Sequence, residues 1–105
     1  MPLTRRGIEV LVAMAGAEDR GEYEDAEIVC SGFECWLGLE RVSRRTVTNL
    51  LRHACVSDQS DGGLAERYVL TGTGRASIHD PECAERVLQA VMEGRNVDER
   101  GFPVS

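Results

Sequence analysis

Apolar residues recur with helical spacing near the start of the chain. Four of them stand at positions i, i+3, i+4 and i+7, the spacing that places side chains on one side of a helix: Ile8, Leu11, Val12 and Ala15. Thr4 precedes them and is suited to cap a helix, because its hydroxyl can accept a hydrogen bond from a free backbone N–H. The pattern predicts a first helix that begins at Thr4 and ends between Gly16 and Gly21.

The next apolar positions predict a second helical region from about Tyr23 to Leu37. Ser31 and Gly32 can break or kink it, so one bent helix and two short helices both fit the pattern. Phe33 and Trp36 then resume a helical spacing. We expect these two aromatic residues to pack in the core, with the wall of a ligand pocket as the alternative.

Residues Ser43 to Ala54 predict a third helix whose two sides differ. Ser43 is the expected N-cap, after a tight turn at Glu40 to Val42. One side is apolar and the opposite side carries groups that can hydrogen-bond to nucleic acid. The apolar side holds Val47, Leu50, Leu51 and Ala54, and the polar side holds Arg45, Thr48, Asn49 and Arg52.

The segment after this helix has the pattern of a β-hairpin. Residues 55–59 and 65–70 are strand-like, and the Ser60-Asp61-Gly62-Gly63 cluster between them favours a reversing turn.

Two more helices are predicted after the hairpin. Thr71 is suited to cap a short helix over residues 72–78, and Asp80-Pro81 is suited to begin a last helix that ends at Gly94. Residues 1–94 then form one domain with one core, as expected for a chain of 105 residues. Residues 95–105 are expected to form a flexible tail.

Charge is distributed unevenly along this acidic chain. The net charge of −6 opposes approach to phosphates. The segment Glu18 to Glu27 carries six carboxylates against Arg20 alone, whereas Arg41 to Ser57 carries four arginines and no carboxylate. A carboxylate-free basic stretch in an acidic chain is typical of a protein that touches phosphate with one face only.

The sequence gives little support for a membrane segment, a metal or cofactor site, or catalysis. No apolar run approaches the roughly 20 residues needed to cross a bilayer, and the N-terminus lacks a signal peptide's apolar core, so we expect a cytoplasmic protein without membrane contact. There is no C-x-x-C pair and Cys30-x4-Cys35 is a weak half-motif, so we expect no metal and no cofactor, with metal or redox sensing as the alternative. Because no secretory signal is present, we expect reduced thiols and no disulfide. We do not expect an enzyme, because His53 and His79 have no plausible nucleophile with an orienting acid. The four cysteines are Cys30, Cys35, Cys55 and Cys83.

Two segments carry a resemblance to a known family. Arg41 to Arg52 resembles the turn and recognition helix of bacterial, archaeal and phage helix-turn-helix regulators. Glu66 to Ala76 is similar to the second wing strand and following helix of winged-helix regulators, in which an aromatic-x-leucine-threonine stretch precedes Gly-Arg. The resemblance covers roughly Thr4 to Ile78. It implies an α+β, mostly α, winged helix-turn-helix: a three-helix core, a β-hairpin wing and a C-terminal helix.

The resemblance implies a sequence-specific DNA-binding transcriptional regulator. Its helix Ser43 to Ala54 would lie in the major groove of double-stranded DNA, and it would form a homodimer through the first helix and the last, Glu82 to Glu93. The residues expected at or near bases are Arg44, Arg45, Thr48 and Asn49. Phosphates are expected at Arg41 and Arg52 and at the first-turn backbone amides near Ser43 and Thr46, and Arg67 of the wing is expected near the minor groove or backbone.

The alternative is a winged-helix protein-interaction module, such as a phage-encoded inhibitor or adaptor acting on nucleic-acid machinery. The acidic segment Glu18 to Glu27 favours this interpretation, because carboxylate arrays complement basic grooves of proteins and repel DNA.

Overall fold

The chain folds as an α+β unit in the computed structural model, which describes residues 3–60 and 62–104. Over these ranges it has four α-helices and one antiparallel sheet of five strands. The helices are α1 (Arg5–Asp19), α2 (Arg44–Arg52), α3 (Gly72–His79) and α4 (Glu82–Glu93), and Tyr23–Ala26 forms a single 3₁₀ turn. The strands are β1 (Ile28–Ser31), β2 (Glu34–Leu37), β3 (Glu40–Val42), β4 (Val56–Asp58) and β5 (Glu66–Leu70).

The sheet has the strand order β3-β2-β1-β5-β4, so β1 lies at its centre. Alternation along the strands places one set of side chains in the core beneath α1 and α2. The core includes Ile28, Cys30, Cys35, Val42, Val56 and Tyr68 from the sheet, with Leu11, Met14 and Leu50 from the helices. The opposite set of the same strands is exposed or half-buried, and it includes Trp36, Arg41 and Arg67.

The predicted second helix is wrong. Instead of a helix from Tyr23 to Leu37, the chain makes the 3₁₀ turn followed by the β1–β2 hairpin. Gly32 and Gly38 have positive φ angles of 62° and 61°, and each reverses the chain between two strands. The predicted turn at Glu40 to Val42 is strand β3, so the described residues contain no helix-turn-helix pair before α2.

The helices predicted after Thr4, Ser43 and Thr71 are confirmed together with their caps, whereas α4 is present without its predicted cap: Pro81 is the N-cap, without a side-chain cap hydrogen bond, and Asp80 pairs with Arg86. The hydroxyls of Thr4, Ser43 and Thr71 each accept a hydrogen bond from a backbone N–H of the first turn, at 3.0–3.1 Å. Gly94 ends α4 in a left-handed conformation with φ 70°. Helix α2 ends two residues earlier than predicted, since Ala54 has a positive φ of 59°.

The hairpin predicted after α2 is also present, as β4 and β5. Residues 95–104 turn back toward α4. Within this segment Val97 forms an isolated β-bridge with Pro103, and the guanidinium of Arg86 on α4 lies 4.5 Å from the centre of the Phe102 ring. The flexibility expected of this segment stays a prediction.

The expectation of fully reduced cysteines is wrong. Cys30 and Cys35 face each other across β1 and β2, with Cα atoms 4.0 Å apart, and form a disulfide. The spacing of five positions from Cys30 to Cys35 is that of two directly opposed residues of the β1–β2 hairpin. Cys55 and Cys83 are free and buried.

Candidate nucleic-acid interface

Helix α2 carries the candidate interface on its exposed side. Val47 and Leu50 are buried against the core, which fixes the rotation of the helix about its axis. That rotation exposes Arg45, Thr48 and Arg52. The polar side predicted from sequence is therefore largely the exposed side.

Ser43 and Thr46, two predicted phosphate contacts, are engaged in the N-cap of α2. The Ser43 hydroxyl accepts from the Thr46 backbone N–H at 3.1 Å, and the two hydroxyl oxygens lie 2.8 Å apart. Thr46 is buried. Their hydroxyls thus hold the start of the helix in place.

Arg44 ties α2 to the sheet. Its guanidinium donates to Glu66 on β5 and, at 2.7 Å, to the carbonyl of Gly32 in the β1–β2 turn. The hydroxyl of Tyr68 donates to the other oxygen of Glu66 at 3.0 Å. The hydrogen bond from Arg44, and then that from Tyr68, lowers the pKa of Glu66. Arg44 is placed to anchor three elements, which leaves it less available to a base.

Two other predicted arginines also meet carboxylates. Arg41 lies 3.7 Å from Glu34 across the β2–β3 pair, and Arg67 lies 3.2 Å from Glu27. Both arginines are on strands and not on α2. The basic stretch of the sequence is therefore partly neutralised by acids that are distant along the chain.

Arg45 and Arg52 differ from these arginines because neither forms an ion pair with the described residues. Nine of the twelve arginines form an ion pair within residues 3–60 and 62–104, and the three that do not are Arg45, Arg52 and Arg100. Arg45 and Arg52 are seven residues apart on α2, so they share one side and are separated by about 10 Å along its axis. Thr48 lies between them.

Asn49 is less exposed than its neighbours on α2. It is half-buried, and its Oδ1 is buried without a hydrogen-bond partner in the described part of the chain. The bidentate contact to adenine expected of this side chain would require a change of rotamer.

The hairpin β4–β5 follows α2 as the predicted wing does, and Arg67 lies at the loop end of the strand pair, where its carbonyl accepts from the Gln59 backbone N–H at 2.8 Å. Asp61, which belongs to the predicted wing tip, lies outside the described residues. Leu64 in the same loop is fully exposed.

The acidic segment Glu18 to Glu27 is largely paired within the chain. Glu18 and Asp19 both meet Arg75, at 2.7 and 3.1 Å. Glu22 meets Arg20, and Glu27 meets Arg67. In the described ranges only the carboxylates of Glu24 and Asp25 in this segment have no ion pair.

Sequence reasoning missed a cleft at the start of α2. It is lined by Arg6, Phe33, Arg41, Val42, Ser43 and Arg44. Arg6 comes from α1 and Phe33 from the β1–β2 turn. Sequence reasoning placed Phe33 in a second helix and so did not bring the two together. The Ser31-Gly32 breaker directly before Phe33 was the available signal, since Ser-Gly marks a turn.

Comparison of the chain with protein-family models, with curated proteins and with solved structures found no match. Among the helices of the described ranges, none is both long and apolar enough to span a membrane. The same ranges hold no group of three His, Cys, Asp or Glu residues arranged to bind a metal ion.

Proposed function

We propose that the chain is a sequence-specific DNA-binding transcriptional regulator that contacts double-stranded DNA through the exposed side of α2. One observation carries the proposal: Arg45 and Arg52 lack ion pairs among the described residues, and they flank Thr48 on one exposed helix side. A guanidinium that no carboxylate neutralises keeps its charge available to a phosphate or to guanine. A helix is also the element that fits the major groove.

The order of elements along the chain after α2 is that of the proposed wing, although the five-strand order of the sheet is not that of a typical wing. The β4–β5 hairpin follows the helix, and β5 returns to pair with β1. In a winged-helix arrangement a hairpin at this place reaches the DNA backbone beside the recognition helix. Here a β-hairpin, β2–β3, stands where a helix-turn-helix has its first helix, so the proposed docking depends on α2 and the wing alone.

The proposal includes a homodimer. A helix of nine residues offers few contacts, and two copies one DNA turn apart multiply a weak single contact. The first and last helices expose apolar side chains that suit a shared interface: Val12 on α1, and Val91 and Met92 on α4.

The alternative of a protein-interaction module is less well supported. The segment Glu18 to Glu27 would present a carboxylate array to a basic partner, but Arg75 and Arg67 already pair with three of its carboxylates. A partner would have to displace these arginines or depend on Glu24 and Asp25.

A titration followed by fluorescence anisotropy tests the proposal. A mixed-sequence duplex is titrated at about 50 and about 200 mM salt. We expect Arg45→Ala/Arg52→Ala to weaken binding and to reduce the salt slope by about 1 for each of the two arginines that contacts a phosphate. Arg20→Ala/Arg95→Ala is the matched control, since it removes the same charge from exposed sites away from α2.

Two outcomes would overturn the proposal. One is the absence of duplex binding at the lower salt concentration. The other is an equal loss of affinity in the control pair, which would indicate a response to net charge alone. Enrichment of a defined sequence from a random duplex pool by the wild-type protein tests the sequence specificity.

A further inference from the structure

The cleft at the start of α2 brings together three parts of the chain. Arg6 comes from α1, Phe33 from the tip of the β1–β2 turn, and residues 41–44 from the junction of β3 and α2. Its volume of about 560 Å³ falls in the range of small-ligand sites.

The lining of this cleft is cationic. It contains three arginines and no carboxylate. Four other grooves on the described surface each include at least one carboxylate: Asp19 and Glu99 in the first, Glu82 and Glu85 in the second, Asp80 in the third, and Glu22, Glu24 and Asp25 in the fourth. The lining itself therefore offers only guanidinium groups to an anion, while carboxylates outside it pair with all three of them: Glu9 and Glu40 with Arg6, Glu34 with Arg41, and Glu66 with Arg44. An anion that binds here shares these guanidiniums with the carboxylates.

The arginines of the cleft are held in position by groups outside its lining. Arg6 donates to Glu40 at 3.0 Å and to the carbonyl of Arg41 at 3.2 Å. Arg44 donates to Glu66 and Gly32 through one terminal nitrogen. A guanidinium has five N–H donors, so each keeps donors for a phosphate while its position is fixed.

Exposed aromatic rings stand beside these arginines. Phe33 is 92% exposed at the hairpin tip, where nothing apolar covers it among the described residues. Trp36 is 40% exposed on β2 and lies opposite Arg41 in the β2–β3 register. The two rings are three residues apart, which limits the separation of their Cα atoms to about 10 Å.

Aromatic faces alternating with arginines are the chemistry that binds unpaired nucleotides. Bases stack on the rings and phosphates pair with the guanidiniums. Bases within a duplex are stacked on each other and are not available to Phe33. The arrangement therefore favours a single strand over a duplex.

We propose that this cleft and the adjoining face of β2 bind single-stranded DNA. One unpaired base stacks on Phe33, a second stacks on Trp36, and Arg6 and Arg41 hold the phosphate between them. The choice of DNA rests on the proposed function, because Ser43 and Arg44 place the cleft directly at the start of the helix proposed to bind duplex DNA.

The test uses fluorescein-labelled oligo(dT) of about 15 nucleotides, within the usual range of single-strand site sizes. Phe33→Ala is expected to weaken binding by about 5-fold to 150-fold, the contribution of one stacked base. Arg41→Ala is expected to reduce the salt slope by about 0.7, as for one phosphate of a single strand. Quenching of Trp36 fluorescence is expected on binding.

Leu39→Ala is the matched control, because Leu39 is an equally exposed apolar residue in the next turn of the same sheet. It is expected to bind oligo(dT) as the wild type does. Arg45→Ala/Arg52→Ala is expected to keep oligo(dT) binding even if duplex binding is lost, which separates this site from the proposed duplex surface.

Four results would overturn the inference. The first is wild-type affinity for oligo(dT) in Phe33→Ala, and the second is loss of oligo(dT) binding in Arg45→Ala/Arg52→Ala. The third is competition by dTMP that is as strong, per nucleotide, as competition by unlabelled oligo(dT). The fourth is tighter binding of oligo(rU) than of oligo(dT). The third would identify a free nucleotide as the ligand, and the fourth would identify RNA. Far-UV circular dichroism of Phe33→Ala checks that the variant is folded.

Discussion

Gly74 packs α3 tightly against Cys55 and Leu70, which stand at the start and the end of the hairpin that follows α2. It is buried, and a Cβ atom there would overlap the carbonyl oxygen of Cys55 and lie 2.7 Å from Cδ1 of Leu70. The Cys55 carbonyl cannot move freely, because it accepts a hydrogen bond from the Thr71 backbone N–H at 3.1 Å. Any side chain at this position must push α3 away from the sheet.

The magnitude follows from two opposed effects. Replacing glycine by alanine in a helix contributes up to about 1 kcal/mol of stability. Overpacking costs about 1–3 kcal/mol, and the upper part applies when the obstacle is backbone. We therefore expect Gly74→Ala to lower the free energy of unfolding by about 1–2 kcal/mol, which for about 100 residues lowers Tm by about 4–16 °C.

Gly16→Ala in α1 is the control. A Cβ atom at Gly16 would lie 3.2 Å from Nη1 of Arg20, the end of a flexible side chain that can move aside. The helix-propensity gain should then remain, so this variant is expected to gain about 0.5–1 kcal/mol.

Urea unfolding, followed by Trp36 fluorescence and far-UV circular dichroism, measures both variants. We expect the midpoint to fall for Gly74→Ala and to rise for Gly16→Ala. A rise in both would refute the close packing of α3 on the Cys55 carbonyl, and with it the inference that only glycine fits at position 74.

Two further predictions concern pH. The pKa of Glu66 is lowered in the folded state by hydrogen bonds from Arg44 and Tyr68, so its contribution to stability is present above about pH 4.3 and is lost as pH falls through the folded pKa. Glu66→Gln should flatten this acid limb in urea unfolding, and an unchanged limb would contradict the assignment. Burial raises the pKa of the Cys55 thiol to about 11. Between the ordinary thiol pKa and this raised pKa, the folded state therefore keeps a proton that the unfolded chain loses. From neutral pH to about pH 10 the wild type should lose about 1.4 kcal/mol more than Cys55→Ala, and parallel profiles would show that Cys55 titrates normally.

Features that depend on neighbouring residues could be predicted from the sequence. The caps at Thr4, Ser43 and Thr71 satisfy backbone N–H groups within their own first turns, so no distant contact is needed to form them. The rotation of α2 was predictable for the same reason, because Val47 and Leu50 define its apolar side.

The β1–β2 hairpin was not predictable in this way. A spacing of three and four residues, as at Phe33, Trp36 and Leu37, suits a helix, but here only Leu37 is buried and the two rings are exposed. The hairpin is stabilised by pairing of β1 with β5, some 40 residues away along the chain. Pairing at that distance overrides a local pattern of this strength.

The charges of the candidate site show the same limit. The four arginines of Arg41 to Ser57 appear alike in sequence, yet Arg41 and Arg44 meet Glu34 and Glu66 while Arg45 and Arg52 do not. The sheet brings Glu34 beside β3 and Glu66 beside the start of α2. The net charge of a short segment of sequence includes neither of these two carboxylates.

Net charge and local charge act over different distances in this molecule. The charge of −6 repels a DNA strand at long range, and ions screen that repulsion over about 10 Å at 0.1 M salt. The guanidiniums of Arg45 and Arg52 act at contact, where counterion release governs affinity. Added salt should therefore ease the encounter with DNA while it weakens the bound state. Arginines that escape internal pairing give an acidic chain its strongest contacts with a duplex, and two of them lie on α2.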